Sequence, residues 1–297
     1  MRKRGEKATR ILTSYSKEGM LVKSKRSQVT IFIIIAILIV AVVAGFFYLR
    51  QRAPSIDNNL PPEASDFKLY MDDCLKNVLE SDLVYLGNQG GYSNKETLSV
   101  YYSGFNIPYY FYEDKRTLTS LDSISGSLEE LVKNDFNDIC YGLYNDSSIS
   151  ITKKNAPILN IVTSSDKVSI DVNMPITIEK GNSTSIVSEY SAEVPIRLQR
   201  VYETAEKIVS LQEEDKYHIC LSCIDSIRDP SMLITSYTWE NSTLVFMISD
   251  YGSDVDGEPY KFFFAIKYKD YDCKSLPSDI DDYIKEECKN ETEVLNG

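Results

Sequence analysis

The hydrophobic pattern along this chain changes character twice. Residues 29–49 form an unbroken apolar run in which fifteen positions are Ile, Leu, Val or Phe and none is charged. At about 1.5 Å per residue, such a run wound as a helix spans a hydrocarbon core of about 30 Å. Insertion energies of roughly 0.3–0.6 kcal/mol for each of these side chains favour the bilayer by about 5–9 kcal/mol. The run therefore predicts one transmembrane helix. Residues 50–64 lose the pattern: Pro54, Asn58, Asn59, Pro61 and Pro62 suit a semi-extended stalk. From residue 65 to 297 helical and strand periods alternate, and a division of this region near 215 is compatible with the pattern.

Three stretches repeat at helical spacing. In the first, Phe67, Tyr70, Met71, Cys74, Leu75, Val78 and Leu79 share a face, and Gly87 or the Gly90-Gly91 pair marks its end. The second carries Leu128, Leu131, Val132, Phe136, Ile139, Cys140 and Leu143 in the same way. The third runs over residues 197–212 with Leu198, Val201, Tyr202, Ala205, Ile208 and Val209 inward. Between and after them, β-branched and aromatic residues predict strands at 107–113, 158–163, 168–178, 185–194, 232–239, 244–249 and 260–268. Gly181-Asn182 and Asn241-Ser242 supply turns between neighbouring strands. Helices and antiparallel hairpins in blocks predict an α+β domain behind the span.

Charge gives the span a direction. Residues 1–28 hold nine Lys or Arg against Glu6 and Glu18, whereas residues 53–297 hold 21 bases and 42 acids, a formal charge of −21. Basic flanks stay on the cytoplasmic side, which predicts a cytoplasmic tail at 1–28 and an acidic domain outside the cell membrane. The lipid bilayer is the first expected partner. So acidic a domain lacks the basic patch that phosphate neutralisation requires, which excludes nucleic acid as a partner.

Two kinds of processing compete with a permanent anchor. Val42-Val43-Ala44 offers a small residue to a signal peptidase, but the apolar run is longer than a signal peptide needs. Lys25-Arg26-Ser27-Gln28 before the apolar helix resembles the leader of archaeal type IV pilins and archaellins, in which the helix becomes a filament core. Phe32 departs from that pattern, since many pilins place Glu there. Over most of the chain, Ser27-Gln28-Val29-Thr30-Ile31-Phe32, Leu86-Gly87-Asn88-Gln89-Gly90-Gly91-Tyr92 and Val194-Pro195-Ile196-Arg197-Leu198 resemble uncharacterised single-pass membrane proteins of small-genome, DPANN-type archaea. The resemblance implies an archaeal cell surface and carries no activity to any residue.

All six cysteines, Cys74, Cys140, Cys220, Cys223, Cys273 and Cys288, follow the span. An even number outside a membrane favours disulfides, and the apolar faces of the first two helices suggest Cys74 with Cys140. Cys220-Leu221-Ser222-Cys223 has the spacing of a redox disulfide or of half a zinc site. A thioredoxin-like site would have this pair open a helix after a strand, and zinc would need a second close pair, whereas Cys273 and Cys288 are fifteen apart. Structural disulfides are the expectation.

The remaining candidates are weaker. Asp250-Tyr251-Gly252-Ser253-Asp254-Val255-Asp256-Gly257-Glu258 gathers oxygen ligands, with Asp254 and Asp256 as candidate cation ligands, but its register fails an EF-hand and an acidic hairpin tip is expected. His218, the only histidine, has no nucleophile motif to serve. In a strand Tyr109 and Phe111 would face one side, toward the core, and Tyr110 and Tyr112 the other, as an aromatic binding surface for a glycan or surface protein. Sequons at Asn145, Asn182, Asn241 and Asn290 are about what chance gives. No cofactor is expected. The sequence reads as a membrane-anchored extracytoplasmic binding or structural module, with a thiol-redox protein or pilin-like filament subunit as alternatives, and an enzyme is disfavoured.

Overall fold

A computed structural model describes residues 34–35, 37–39, 60–93, 98–214, 220–227, 229–239, 242–269, 285–286 and 288. The chain divides into two units between Asn59 and Leu60. In the first, Ile34, Ile35, Ile37, Leu38 and Ile39 are helical and exposed. The rest of the expected span and the basic tail lie outside the described residues, among which no helix is long and apolar enough to cross a membrane.

The second unit is α+β. It opens with helix α1 (Pro62–Asn88), capped by Pro61 and carrying Pro62 in its first turn. Proline fits there because its fixed φ is helical and its missing N–H has no partner to lose. The helix thus takes in the last residues of the expected stalk, and Ala64 is already buried. Its apolar stripe, Phe67, Met71, Leu75, Leu79, Leu83 and Leu86, is fully buried and continues beyond the face read from sequence.

Six strands form the larger sheet: β1 (Ser99–Tyr102), β2 (Phe105–Glu113), β3 (Lys115–Arg116), β8 (Met232–Trp239), β9 (Thr243–Val255) and β10 (Glu258–Tyr268). Their order is β1-β2-β10-β9-β8, with β3 against the end of β2. β2 and β10 run parallel; the other pairs are antiparallel. One face stacks Tyr110 on Phe264 and Phe264 on Phe246, at centroid distances of 5.0 and 5.1 Å. Helix α3 (Leu198–Glu214) packs on this sheet through β10, β2 and β9. Arg116 on β3 ties the helix down through Glu206 and Glu213.

The opposite face holds a second cluster around Ile107, Tyr109, Val245 and Ala265. Here the sheet curls on itself. Tyr102 at the end of β1 meets Tyr237 and Trp239 of β8, with ring centroids 5.8 and 5.2 Å apart, although β1 and β8 are the outermost strands. The meeting of the two edges encloses the cluster.

The smaller sheet contains β4 (Ser150–Lys153), β5 (Ile158–Thr163), β6 (Val168–Lys180) and β7 (Ser183–Val194), all antiparallel. β6 is central: β7 lies along one side, and β5 then β4 share the other. Val168, Ile170, Val172, Met174, Ile176 and Ile178 point inward and polar residues alternate with them, the pattern of a sheet with one wet face. Pro175 sits at the break in register between Asn173 and Ile176, where a strand tolerates a missing donor. α1 packs against both β7 and β10. The core is therefore continuous from one sheet to the other, and it crosses position 215, with Ile208 and Ile224 both in it.

Helix α2 (Leu121–Asp135) is capped by the Ser120 hydroxyl, which accepts from the Ser123 amide at 3.2 Å. The single helix expected through Leu143 changes at Phe136 into a π-helical turn, Phe136–Tyr141. The wider turn rotates the face. Phe136 and Cys140 point inward, while Ile139 and Leu143 are exposed.

Candidate functional site

Cys220 and Cys223 are the candidates with the most chemistry. Cys220 immediately precedes the short helix α4 (Leu221–Ile227), and its carbonyl accepts from the Ile224 amide at 3.1 Å. The two cysteines are disulfide-bonded with Cα atoms 5.1 Å apart. The Cys223 amide donates to the Cys220 sulfur at 3.2 Å. That donor would stabilise a thiolate on Cys220 after reduction. Cys220 is exposed and Cys223 half-buried, so the sulfur open to attack by an external thiol is that of Cys220. Ile224 is buried and fixes the helix to the core. The pair does open a helix; the element before it is α3, with residues 215–219, His218 included, outside the described residues.

Cys74 on α1 and Cys140 in the π-helical turn are disulfide-bonded with Cα atoms 5.7 Å apart. The π-helical turn brings Cys140 to the inner side of its segment. Cys288 is buried and disulfide-bonded as well, and Cys273 lies outside the described residues.

The acidic stretch 250–258 is not a loop. β9 runs through it to Val255, leaving Asp256 and Gly257 as a two-residue turn with φ of 52° and 84°. Two positive φ values match a hairpin turn whose twist suits the strands, and Asp and Gly tolerate them. Asp254 caps this turn by accepting from the Gly257 amide at 3.1 Å. Among the described residues no three His, Cys, Asp or Glu side chains converge as a metal site.

Asp250, read as part of that tip, is instead fully buried. Between Asp250 and Asp254, β9 carries three residues that β10 does not match, and this bulge folds around Arg197 at the start of α3. The guanidinium grips Asp250 with Nε at 3.0 Å and with Nη2, and Nη2 also donates to the Ser231 hydroxyl. The Gly252 amide at 3.0 Å and the Ser253 hydroxyl at 2.6 Å complete the shell of donors around the carboxylate. A Cβ on Gly252 would overlap the guanidinium, so the bulge requires glycine. The bidentate, fully donated pair is a structural pin between helix and sheet. Beside it, a groove of about 450 Å³ is lined by Arg200, Glu203, Lys207 and Asp229 among others; it carries both signs of charge, and Arg200 is paired with Asp229 at 3.4 Å.

A second buried acid went unread. Asp82 is 5 % exposed and, among the described residues, its Oδ2 has no hydrogen-bond partner. Burial first, and then the Asp135 carboxyl at the end of α2, push its pKa up to about 7. Two carboxyls in contact bond only when one keeps a proton. The sequence does carry a sign of this: Asp82 occupies the inward stripe between Leu79 and Leu86.

The aromatic strand corrects one expectation. Tyr110 belongs to the core: it is fully buried and donates to the Gly90 carbonyl at 2.8 Å. Tyr112 is half-buried, with Lys267 over its ring at 5.4 Å. A shift of register between Ala265 and Ile266 breaks the simple alternation, so Tyr110 and Phe111 both join the main core and Tyr109 the second cluster. Among the described residues the exposed aromatics include Tyr101, Tyr251 and, at the seam of the curled sheet, Tyr237 and Trp239. Asn145 and Asn182 are exposed; Asn241 and Asn290 lie outside the described residues. Comparison with protein-family models, with curated proteins and with solved structures finds no match.

Proposed function

We propose that this chain is a single-pass, membrane-anchored protein whose tail at 1–28 is cytoplasmic and whose domain lies outside an archaeal cell, as a surface binding or structural module. The observation that carries the reading is the state of the cysteines. Cys74, Cys140, Cys220, Cys223 and Cys288 are all disulfide-bonded, and all follow the apolar run. Such bonds persist in oxidising surroundings, in agreement with the side that the charge asymmetry assigns. The test is thiol alkylation of the protein in intact membranes, followed by mass measurement. No alkylated cysteine before reduction and six after it are expected; alkylation of Cys74 and Cys140 without reductant would refute the reading.

The exposed Cys220 sulfur at the head of α4 supports a second reading, an extracytoplasmic thiol-redox protein. In it, an external thiolate attacks Cys220, the Cys220–Cys223 bond breaks, and Cys223 leaves as thiolate. Reduction of insulin by the dithiol form, lost in Cys220→Ser, would favour this reading; absence of that activity leaves the module. A pilin-like subunit would instead begin at Gln28, which N-terminal sequencing of membrane-extracted protein detects.

A further inference from the structure

The two outer flanks of the smaller sheet are treated differently. On β7 the free edge is sealed by α1: Lys68 donates to the Glu189 carbonyl at 2.7 Å, and Asp72 accepts from the Ser191 amide at 3.0 Å. β5 pairs with β6 on one side only, and among the described residues nothing pairs with its other side. A bare edge is a template for another strand, and proteins usually blunt one with charge or proline. β5, Ile158-Leu159-Asn160-Ile161-Val162-Thr163, has neither. Its wet face instead shows Ile158 at 71 % exposure and Val162 at 50 %.

We infer that the edge of β5 binds β5 of a second copy of this chain, joining two small sheets into one. The argument for a second copy is self-complementarity. Antiparallel pairing about a two-fold axis through Asn160, perpendicular to the sheet, sets Ile158 opposite Val162 of the partner strand twice over on the wet face. It also sets Leu159 opposite Ile161 on the core face and Asn160 opposite itself. Each exposed apolar side chain gains an apolar mate, and every group keeps its face. Charge favours the same place: residues 53–297 carry −21, and a contact between copies is least repulsive along an uncharged strand. This pairing goes beyond the anchored module and holds whichever side of the membrane the domain occupies.

Opposed residues of an antiparallel pair have Cα atoms about 4.5–5.5 Å apart, within disulfide range. Asn160→Cys in the full-length protein, oxidised in native membranes, is therefore expected to give a reductant-sensitive species of twice the chain mass. Asp171→Cys, opposite Asn160 on β6 and one strand further in, is too far from its symmetry mate to form one. Adding Val162→Lys to Asn160→Cys should abolish the crosslink while the melting temperature stays within a few degrees, since Val162 is half exposed. A monomeric Asn160→Cys protein that melts like the parent would overturn the proposal, and so would equal crosslinking of Asp171→Cys. Loss of the parent's melting transition in Asn160→Cys moves the same experiment to Ile158→Cys with Val162→Cys, read by the same two outcomes.

Discussion

Replacing Asp82 by Asn removes a buried carboxyl that faces the Asp135 carboxyl across α1 and α2. Burial and that neighbour raise its pKa from 3.8 to about 7, so between these values the folded protein binds a proton that the unfolded chain has released. A group that holds its proton more tightly when folded contributes full stability below the unfolded pKa, and this contribution is lost as pH rises through the folded pKa. A rise of about 3 units at about 1.36 kcal/mol per unit sets an upper figure of about 4 kcal/mol between pH 4 and pH 7. Asn, nearly the same shape and uncharged, escapes this loss. In a domain of this size 1 kcal/mol moves the melting temperature by about 2–4 °C, so Asp82→Asn should melt on the order of 10 °C higher than the parent at pH 7.5 and near it at pH 4. Thermal melts of full-length protein in detergent, from pH 4 to pH 8, measure this. Parallel melting curves for parent and variant across that range would refute the assignment of a buried proton to Asp82.

Three further outcomes follow from the packing. Arg197→Ala leaves Asp250 fully buried without its guanidinium and should destabilise by about 3–5 kcal/mol, measured by denaturant unfolding. Gly252→Ala pushes a methyl group into the same guanidinium and should cost about 1–3 kcal/mol in that assay, a loss that shrinks when Arg197→Ala is also present, because the two act on one contact. Cys74→Ser with Cys140→Ser opens a loop of 66 residues and should lower stability by about 4 kcal/mol, whereas Cys220→Ser with Cys223→Ser opens so short a loop that the melt should move much less.

What the sequence made legible follows from which signals are local. β6 was readable because one face of a sheet is buried and the side-chain period is two; α3 was readable because its stripe recurs at helical spacing. The Cys74–Cys140 pair was suggested by two apolar faces, and the bond lies there. The short strands β1, β3 and β4 have too few residues to show a period. Arg197 and Asp250 are 53 residues apart, and their meeting depends on a bulge that no local pattern announces. Tyr110 was misread for a related reason: it is the extra residue of a bulge in β2, where Tyr109 and Phe111 pair with the consecutive Ala265 and Ile266 of β10, so simple alternation does not decide its side. The π-helical turn at Phe136–Tyr141 likewise adds a residue to a turn that spacing alone reads as α-helix.

In the proposed topology an anchored, acidic domain stands outside the membrane behind a basic cytoplasmic tail. Protease added to intact cells, with separate antibodies against residues 1–28 and the acidic domain, tests it most directly. Loss of the domain signal after reduction and digestion is expected, with a protected fragment that keeps the tail until the membrane is permeabilised. A tail removed from intact cells with the domain protected would contradict it.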